Sequence, residues 1–443
     1  MLVLGPFRVR LKAPYDRSRE PKMVNVIERV SISGFWGDKT VSMTFRSSRN
    51  FIIGVNGSGK TTFIDLLSAA LRMDFDTLAK LDFTEINIVL KTVGQNKKPS
   101  IRLIKSSLNE YLTQVTYHLK ASASEKPTTY EFDDFADIKM ARRRRWPPRN
   151  DAQHVGLQQQ LAELVKLSWL PIWRAHSSAN RDLPEERIQP SIDAKLAQVT
   201  RDFATYFSSL QTQAQRETDL FQEKIFLSLV SSIERRHGVA GITANAPTAQ
   251  SEIEAVFHEL KMDRTKTRRY ISNHFERLKA ATEKISSGSI TADDLVVMYD
   301  NQRLARIISD WKRLQISKNR IYEQRNAFVE IINRLFSRKT ARITDRNEIE
   351  IVTQSGKIFS TNILSSGEKQ MFIMLGEVLL YEKKPFVFIA DEPELSLHVG
   401  WQSELVKSIE HLNGNVQIIF ATHSPDIVGS NQKDIINIEE KFQ

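Results

Sequence analysis

Two short runs, far apart in the chain, carry residue types suited to gripping phosphate. The first reads Gly54-Val55-Asn56-Gly57-Ser58-Gly59-Lys60-Thr61-Thr62, a Gly-x4-Gly-Lys-Thr pattern. Glycines let successive backbone N–H groups converge on phosphate oxygens. Lys60 is placed to reach β- and γ-phosphates, and the Thr61 hydroxyl to hold Mg2+. Asn56, Gly57, Ser58, Gly59 and Thr62 complete the cradle. An apolar run, Phe51-Ile52-Ile53, precedes it, and Phe63, Leu67, Ala70 and Leu71 follow at helical spacing. A strand therefore feeds the loop and a helix beginning at about Lys60 leaves it, adding the positive end of its dipole. The competing reading is a glycine turn that only joins strand to helix.

Three later runs complete the chemistry. Pro385-Phe386-Val387-Phe388-Ile389-Ala390-Asp391-Glu392 reads as a buried parallel strand ending in two carboxylates. At the carboxyl end of such a strand, Asp391 suits the Mg2+ shell and Glu392 suits orienting or deprotonating a water. Asn415 to Ala421 repeats the design and delivers Thr422 and His423 to the same edge, where His423 is a candidate γ-phosphate contact. Leu364-Ser365-Ser366-Gly367-Glu368-Lys369-Gln370 precedes an amphipathic helix. Small residues at a helix start make an anion site, yet they equally make a Ser/Gly cap. A second phosphate site makes sense if the two belong to different subunits sharing one nucleotide.

Bulk properties set limits. The 443 residues, 41% hydrophobic, can fill two or three cores. No apolar stretch nears the ~18 residues of a membrane span, so a soluble, cytoplasmic protein without membrane contact is expected. The N-terminus lacks a basic n-region and a small-residue cleavage site, and Met1 and Met23 are both candidate starts. With no cysteine there are no disulfides or thiolate sites. The net charge of +10 points to nucleic acid or an acidic protein partner, with Arg142-Arg143-Arg144-Arg145-Trp146-Pro147-Pro148-Arg149 as the densest patch and a solvated face as the alternative.

These motifs need a scaffold, and the patterning supplies an α/β one. Strands are expected over 24–32, 40–45 and 51–53, around a Gly34-Phe35-Trp36-Gly37 turn, then a meander over 84–93, 99–107, 111–121 and 128–132. A helix over 157–167 and a strand over 170–173 follow. From about 190 to 340 the pattern is helical. Leu304, Ile307, Trp311, Leu314, Lys318, Ile321, Arg325, Phe328, Ile332 and Leu335 make a coiled-coil-like seam broken by two basic residues. Breaks near 238–250 and at 286–289 suggest antiparallel helices, and strands return over 348–353 and 357–359. The expected organisation is an N-terminal extension (1–22), a first ATPase lobe (23–190), a helical insertion (191–345) and a second lobe (346–443).

In order and spacing these motifs, with Ser396-Leu397-His398 in the D-loop place and Ala421-Thr422-His423-Ser424-Pro425, resemble the ABC-type ATPase heads of the SMC, Rad50, RecF and OLD group. The resemblance covers roughly 23–190 and 346–443. Within that group the chain is similar to ATPases of bacterial anti-phage systems, including the AriA family of the PARIS type. The resemblance implies a mixed-sheet P-loop head with an inserted helical subdomain, ATP and Mg2+ as ligands, and slow hydrolysis without nuclease activity. It implies head-to-tail dimers or larger homo-oligomers, each ATP held between Lys60 of one subunit and Ser365, Ser366, Gly367 and Glu368 of another, with Ser396 and His398 at the same interface. It further implies a separate effector, a Toprim-type nuclease. The alternative is a RecF-like repair ATPase gripping DNA through Arg142–Arg149. Three departures stand out: Ser366 replaces the first glycine of the usual signature, no Q-loop glutamine is evident, and the insertion is too short for an SMC arm.

Overall fold

The computed structural model describes residues 25–107, 113–133, 151–171, 191–230, 246–259, 263–430 and 432–443. It divides into two compact units. The first runs through Val199 and takes in Ile331–Thr340 and Ile351–Gln443; the second comprises Thr200–Glu330 and Ala341–Glu350. The basic run Arg142–Arg149 and the Arg174-Ala175-His176 segment, where a Q-loop was sought, lie outside the described residues.

Strands β1 (Asn25–Phe35), β2 (Lys39–Thr44) and β3 (Arg49–Ile53) lead into helix α1 (Lys60–Arg72) and a short α2 (Phe75–Lys80). Then come β4 (Glu85–Thr92), β5 (Ser100–Ser107), β6 (Thr113–Lys120), β7 (Thr128–Asp133), α3 (Asp151–Leu164) and β8 (Leu167–Leu170). The helices α4 (Ile192–Val230), α5 (Ala246–Glu259), α6 (Arg264–Ser287) and α7 (Ala292–Leu335) follow. The chain closes with β9 (Lys339–Ile343), β10 (Ile349–Thr353), β11 (Ile358–Phe359), α8 (Ser366–Leu380), β12 (Phe386–Asp391), α9 (Val399–Leu412), β13 (Val416–Ala421), α10 (Pro425–Val428) and β14 (Ile435–Asn437).

The first unit stacks two sheets. One is antiparallel, ordered β2-β1-β4-β5-β6-β7; the other is parallel, ordered β14-β3-β13-β12-β8. Every residue of β12 and β13 is buried, as their unbroken apolar runs require. One core joins both sheets through α1, with Ile27, Phe63, Leu67, Ile389 and Ile419 all inaccessible. A polar tie crosses that core. Gln417, fully buried on β13, accepts from the Ile27 amide at 2.8 Å and donates to the Ile27 and Arg46 carbonyls at 2.7 Å each. The ladder from β1 to β4 shifts register between Ile27 and Arg29, and Gln417 serves the backbone at that irregularity.

The second unit is helical, and its seam behaves as the spacing predicts. Phe203 on α4 meets Phe328 on α7 edge-on at 5.1 Å, and Phe221 meets Trp311 at 5.5 Å. Ascending positions on α4 thus pair with descending ones on α7, so the two helices are antiparallel. Arg325, a basic residue in the seam, lays its guanidinium 3.9 Å over the Tyr322 ring and so keeps a partner for its charge.

The expected boundaries shift at three places. The helix expected over 157–167 lies at Asp151–Leu164, and the strand expected over 170–173 lies at Leu167–Leu170. Pairing of Leu167 with Val387 sets that strand's start, and Pro171, with no N–H to donate, follows its end. The helical run stops at Leu335 rather than continuing to about 340, and Arg338 adopts φ 63° before β9 begins. Helix α2 was not foreseen; its signal is Asp74, whose side chain accepts from the Thr77 amide as an N-cap.

Candidate functional site

Strands β3, β13 and β12 are neighbours in the parallel sheet, so the loops leaving their carboxyl ends meet. Between them lies a cleft of about 880 Å³. Its walls include Asn56, Gly57, Gly59, Lys60, Thr61 and Thr62 from the first motif, with Glu392 and His423 from the later ones. Lys60 is buried, and its Nζ donates to the Gly54 and Val55 carbonyls at 3.0 and 3.3 Å. Ser58 is also buried, and its Oγ has no hydrogen-bond partner among the described residues. Ser58 does not line the cleft and packs against Gly54 instead. A tight glycine loop with a lysine folded over it fits a phosphate chain.

The acidic side of the cleft is crowded. Glu392 sits in the left-handed region at φ 46°, strained for a side-chain-bearing residue. Its Oε1 lies 3.4 Å from His423 Nε2. Burial first, then the neighbouring Glu394 carboxylate and Asp391, push the Glu392 carboxyl up to about 8, against an opposing pull from Lys60. Burial first, then the Lys60 charge, push the His423 imidazole down, against an opposing pull from Glu394. Asp65 on α1 is pushed up to about 6, by burial and then by the charge of Asp391. Among the described residues no group of three or more His, Asp or Glu side chains is arranged to hold a metal ion by itself. The Thr61 hydroxyl and the Asp391 carboxyl are the residues that would hold a divalent cation alongside a nucleotide.

That crowding has a pH consequence. Glu392 binds its proton more tightly folded than unfolded, so stability is expected to fall as pH rises from about 4.5 to about 8. Glu392→Gln should flatten that slope, and urea denaturation across pH 6 to 9 would reveal it; parallel slopes for both proteins would refute it.

Several site residues escaped the sequence reading. Glu394 is the most consequential, because its Oε1 accepts from Thr422 Oγ1 at 2.6 Å, the His423 amide at 2.8 Å and the Ser424 amide at 3.0 Å. One carboxylate oxygen thereby fixes the loop that carries the histidine. The third acid of the Asp391-Glu392-Pro393-Glu394 run is its only sequence signal. Gln402 accepts from Ser424 Oγ at 2.7 Å and steadies the same loop, while Trp36 forms part of the cleft wall.

The Ser365–Glu368 motif does not line this cleft, nor do Ser396 and His398. It forms the start of α8 as a capping box: Ser365 Oγ accepts from the Glu368 amide at 3.4 Å, and Glu368 Oε2 accepts from the Ser365 amide at 2.7 Å. Glu368 also pairs with Lys339 at 2.7 Å and is buried, so it holds the cap in shape rather than presenting itself to a ligand. Ser365 and Ser366 are exposed. Ser366, where the usual signature has glycine, is open to solvent on this chain. Gly367 is different. A Cβ there would collide with the carbonyl oxygen of Ser396, itself in the left-handed region at φ 72°. Gln370 Nε2 donates to the Pro393 carbonyl at 3.1 Å, so α8 carries the 393–398 turn on its first two helical turns. His398 caps α9, its Nδ1 accepting from the Gly400 amide at 3.2 Å. Gly367→Ala is expected to lower stability by about 1–3 kcal/mol, measurable by urea denaturation, whereas Ser366→Ala should have little effect.

Residues 49–429 match the family described as "AAA domain, putative AbiEii toxin, Type IV TA system". The chain belongs to that family. It is thus a P-loop ATPase, and its fold is an α/β head with a helical subdomain. No curated protein matches it. Similar solved structures include the Smc head with an extended coiled coil, bound to the C-terminal domain of ScpA, from Pyrococcus furiosus, at 13% identity over 94% of this chain and 93% of that one, with a TM-score of 0.46. Another is the Pyrococcus yayanosii Smc head with a coiled coil and joint, at 15% identity over 94% and 95%, TM-score 0.39. A third is the Thermotoga maritima SMC head, at 13% over 91% and 90%, TM-score 0.36. Among the described residues no helix is long and apolar enough to cross a membrane.

Proposed function

We propose that the chain hydrolyses ATP slowly at centres completed between two copies, and that it is the sensor and assembly component of a bacterial anti-phage defence system. One observation carries the first part. Lys60, Glu392 and His423 share a cleft, while the exposed Ser365 and Ser366 lie outside it on the same chain. A second subunit, docked head-to-tail, would bring those serines to the nucleotide of the first.

Thr61 and Asp391 would hold Mg2+, which neutralises charge on the triphosphate. Lys60 is positioned for the β- and γ-phosphates. Glu392 accepts the proton of the attacking water once it has lost its own, and Lys60 favours that loss. His423, whose backbone amide is held by Glu394, contacts the γ-phosphate. The family's description includes a toxin–antitoxin component, which favours a defence role over DNA repair. On this reading the chain resembles the PARIS-type ATPases and controls a separate effector, a Toprim-type nuclease, through ATP-dependent assembly. It cuts no nucleic acid itself.

Phosphate release per chain should rise with protein concentration and reach a plateau, as a bimolecular centre requires. A per-chain rate constant across a thousandfold dilution series, at any value above background, would overturn the shared-centre reading.

A further inference from the structure

The segment beyond β13 does something the motifs do not announce. Its last part, residues 435–443, lies past the 49–429 stretch that matches the family. Strand β14 runs parallel to β3 and pairs Asn437 with Ile53, the last residue before the phosphate loop. Ile438, fully buried, sets its Cγ2 2.8 Å from where a Cβ on Gly54 would stand, so only glycine fits there. Glu439 Oε1 then accepts from the Val55 amide at 2.8 Å. That carboxylate is aimed by its neighbour, since Asn437 Oδ1 accepts from the Glu439 amide at 3.2 Å.

The same segment fastens the far side of the loop. The Phe442 ring stacks on Trp36 at 5.7 Å and 21°, and Trp36 lies against Gly59. Thr40 and Gln443 exchange two backbone hydrogen bonds, at 3.2 and 2.8 Å, which lock Phe442 onto the edge of β2. Lys39 Nζ stands 5.5 Å from both ring centroids. The loop is therefore gripped at its entry through Gly54 and Val55, and at its exit through Trp36 and Gly59.

We infer that residues 435–443 form a strap that presets the phosphate loop, with Glu439 and Phe442 as positioning residues for nucleotide binding. The Val55 N–H is committed to Glu439, so this contact shapes the loop rather than touching phosphate. A loop preset in its binding shape loses less entropy on binding, so loosening the strap costs affinity more than turnover. The inference rests on the cleft's being a nucleotide site.

The test uses the full chain with a fluorescent N-methylanthraniloyl ATP and Mg2+. Glu439→Ala should weaken binding about fivefold and raise KM in step, with kcat changed by less than about twofold. Glu439→Gln keeps the accepting oxygen and should bind like wild type. Glu439→Ala combined with Phe442→Ala should weaken binding about thirtyfold. Should the double variant fail to fold, Glu439→Ala alone is read by amide exchange, which should speed up across 54–60. Wild-type affinity and wild-type exchange in Glu439→Ala would overturn the strap. A wild-type chain that does not bind the probe would instead overturn the nucleotide reading, and the strap's role with it.

Discussion

Glu392→Gln is expected to slow phosphate release by about a thousandfold while Mg-ATP stays bound. The argument is geometric before it is electrostatic. Glu392 directly follows the buried strand β12, faces the cleft with Lys60, and lies 3.4 Å from His423. On the proposed mechanism it is the carboxyl that takes a proton from water. Glutamine keeps its shape and removes both the base and its repulsion with Glu394 and Asp391. The variant should therefore accumulate with nucleotide and in a larger assembly, visible by light scattering after gel filtration. A variant that releases phosphate at the wild-type rate would remove Glu392 from the mechanism.

Lys60→Ala should weaken Mg-ATP binding by about a hundredfold and abolish hydrolysis. Two losses add. The buried ammonium supplies positive charge beside Glu392, and it also bridges the Gly54 and Val55 carbonyls that shape the loop. Calorimetric titration with ATP measures the first loss. Retained affinity would mean that backbone amides alone carry the phosphates.

Much of this centre was legible in the sequence because strand–loop junctions carry strong signals. A buried strand of apolar residues followed by a polar pair marks both the element and where its end lies, as at Phe386–Asp391 and Val416–Ala421. Side-chain service roles left fainter traces. Glu394 looks like one more acid in a charged turn until its three donors, all from residues 422–424, come into contact with it. Gln417 looks like a polar misfit in a core strand until the β1 irregularity supplies its partners. Glu368 reads as part of a ligand motif, yet its carboxylate is consumed by Ser365 and Lys339. The grip of 435–443 on the phosphate loop depends on chain ends meeting nearly 400 positions apart, at a separation of 384 for Glu439 and Val55, which no local pattern encodes.

The decisive measurement mixes two inactive proteins. Lys60→Ala spoils the phosphate loop and Ser365→Arg spoils the exposed start of α8, so neither should release phosphate alone. Random pairing makes half the dimers mixed, each with one intact centre, so the mixture should regain about a quarter of wild-type activity. If activity in the mixture stays at the sum of its two inactive components, while each variant still folds and assembles, no nucleotide is shared between copies of this chain.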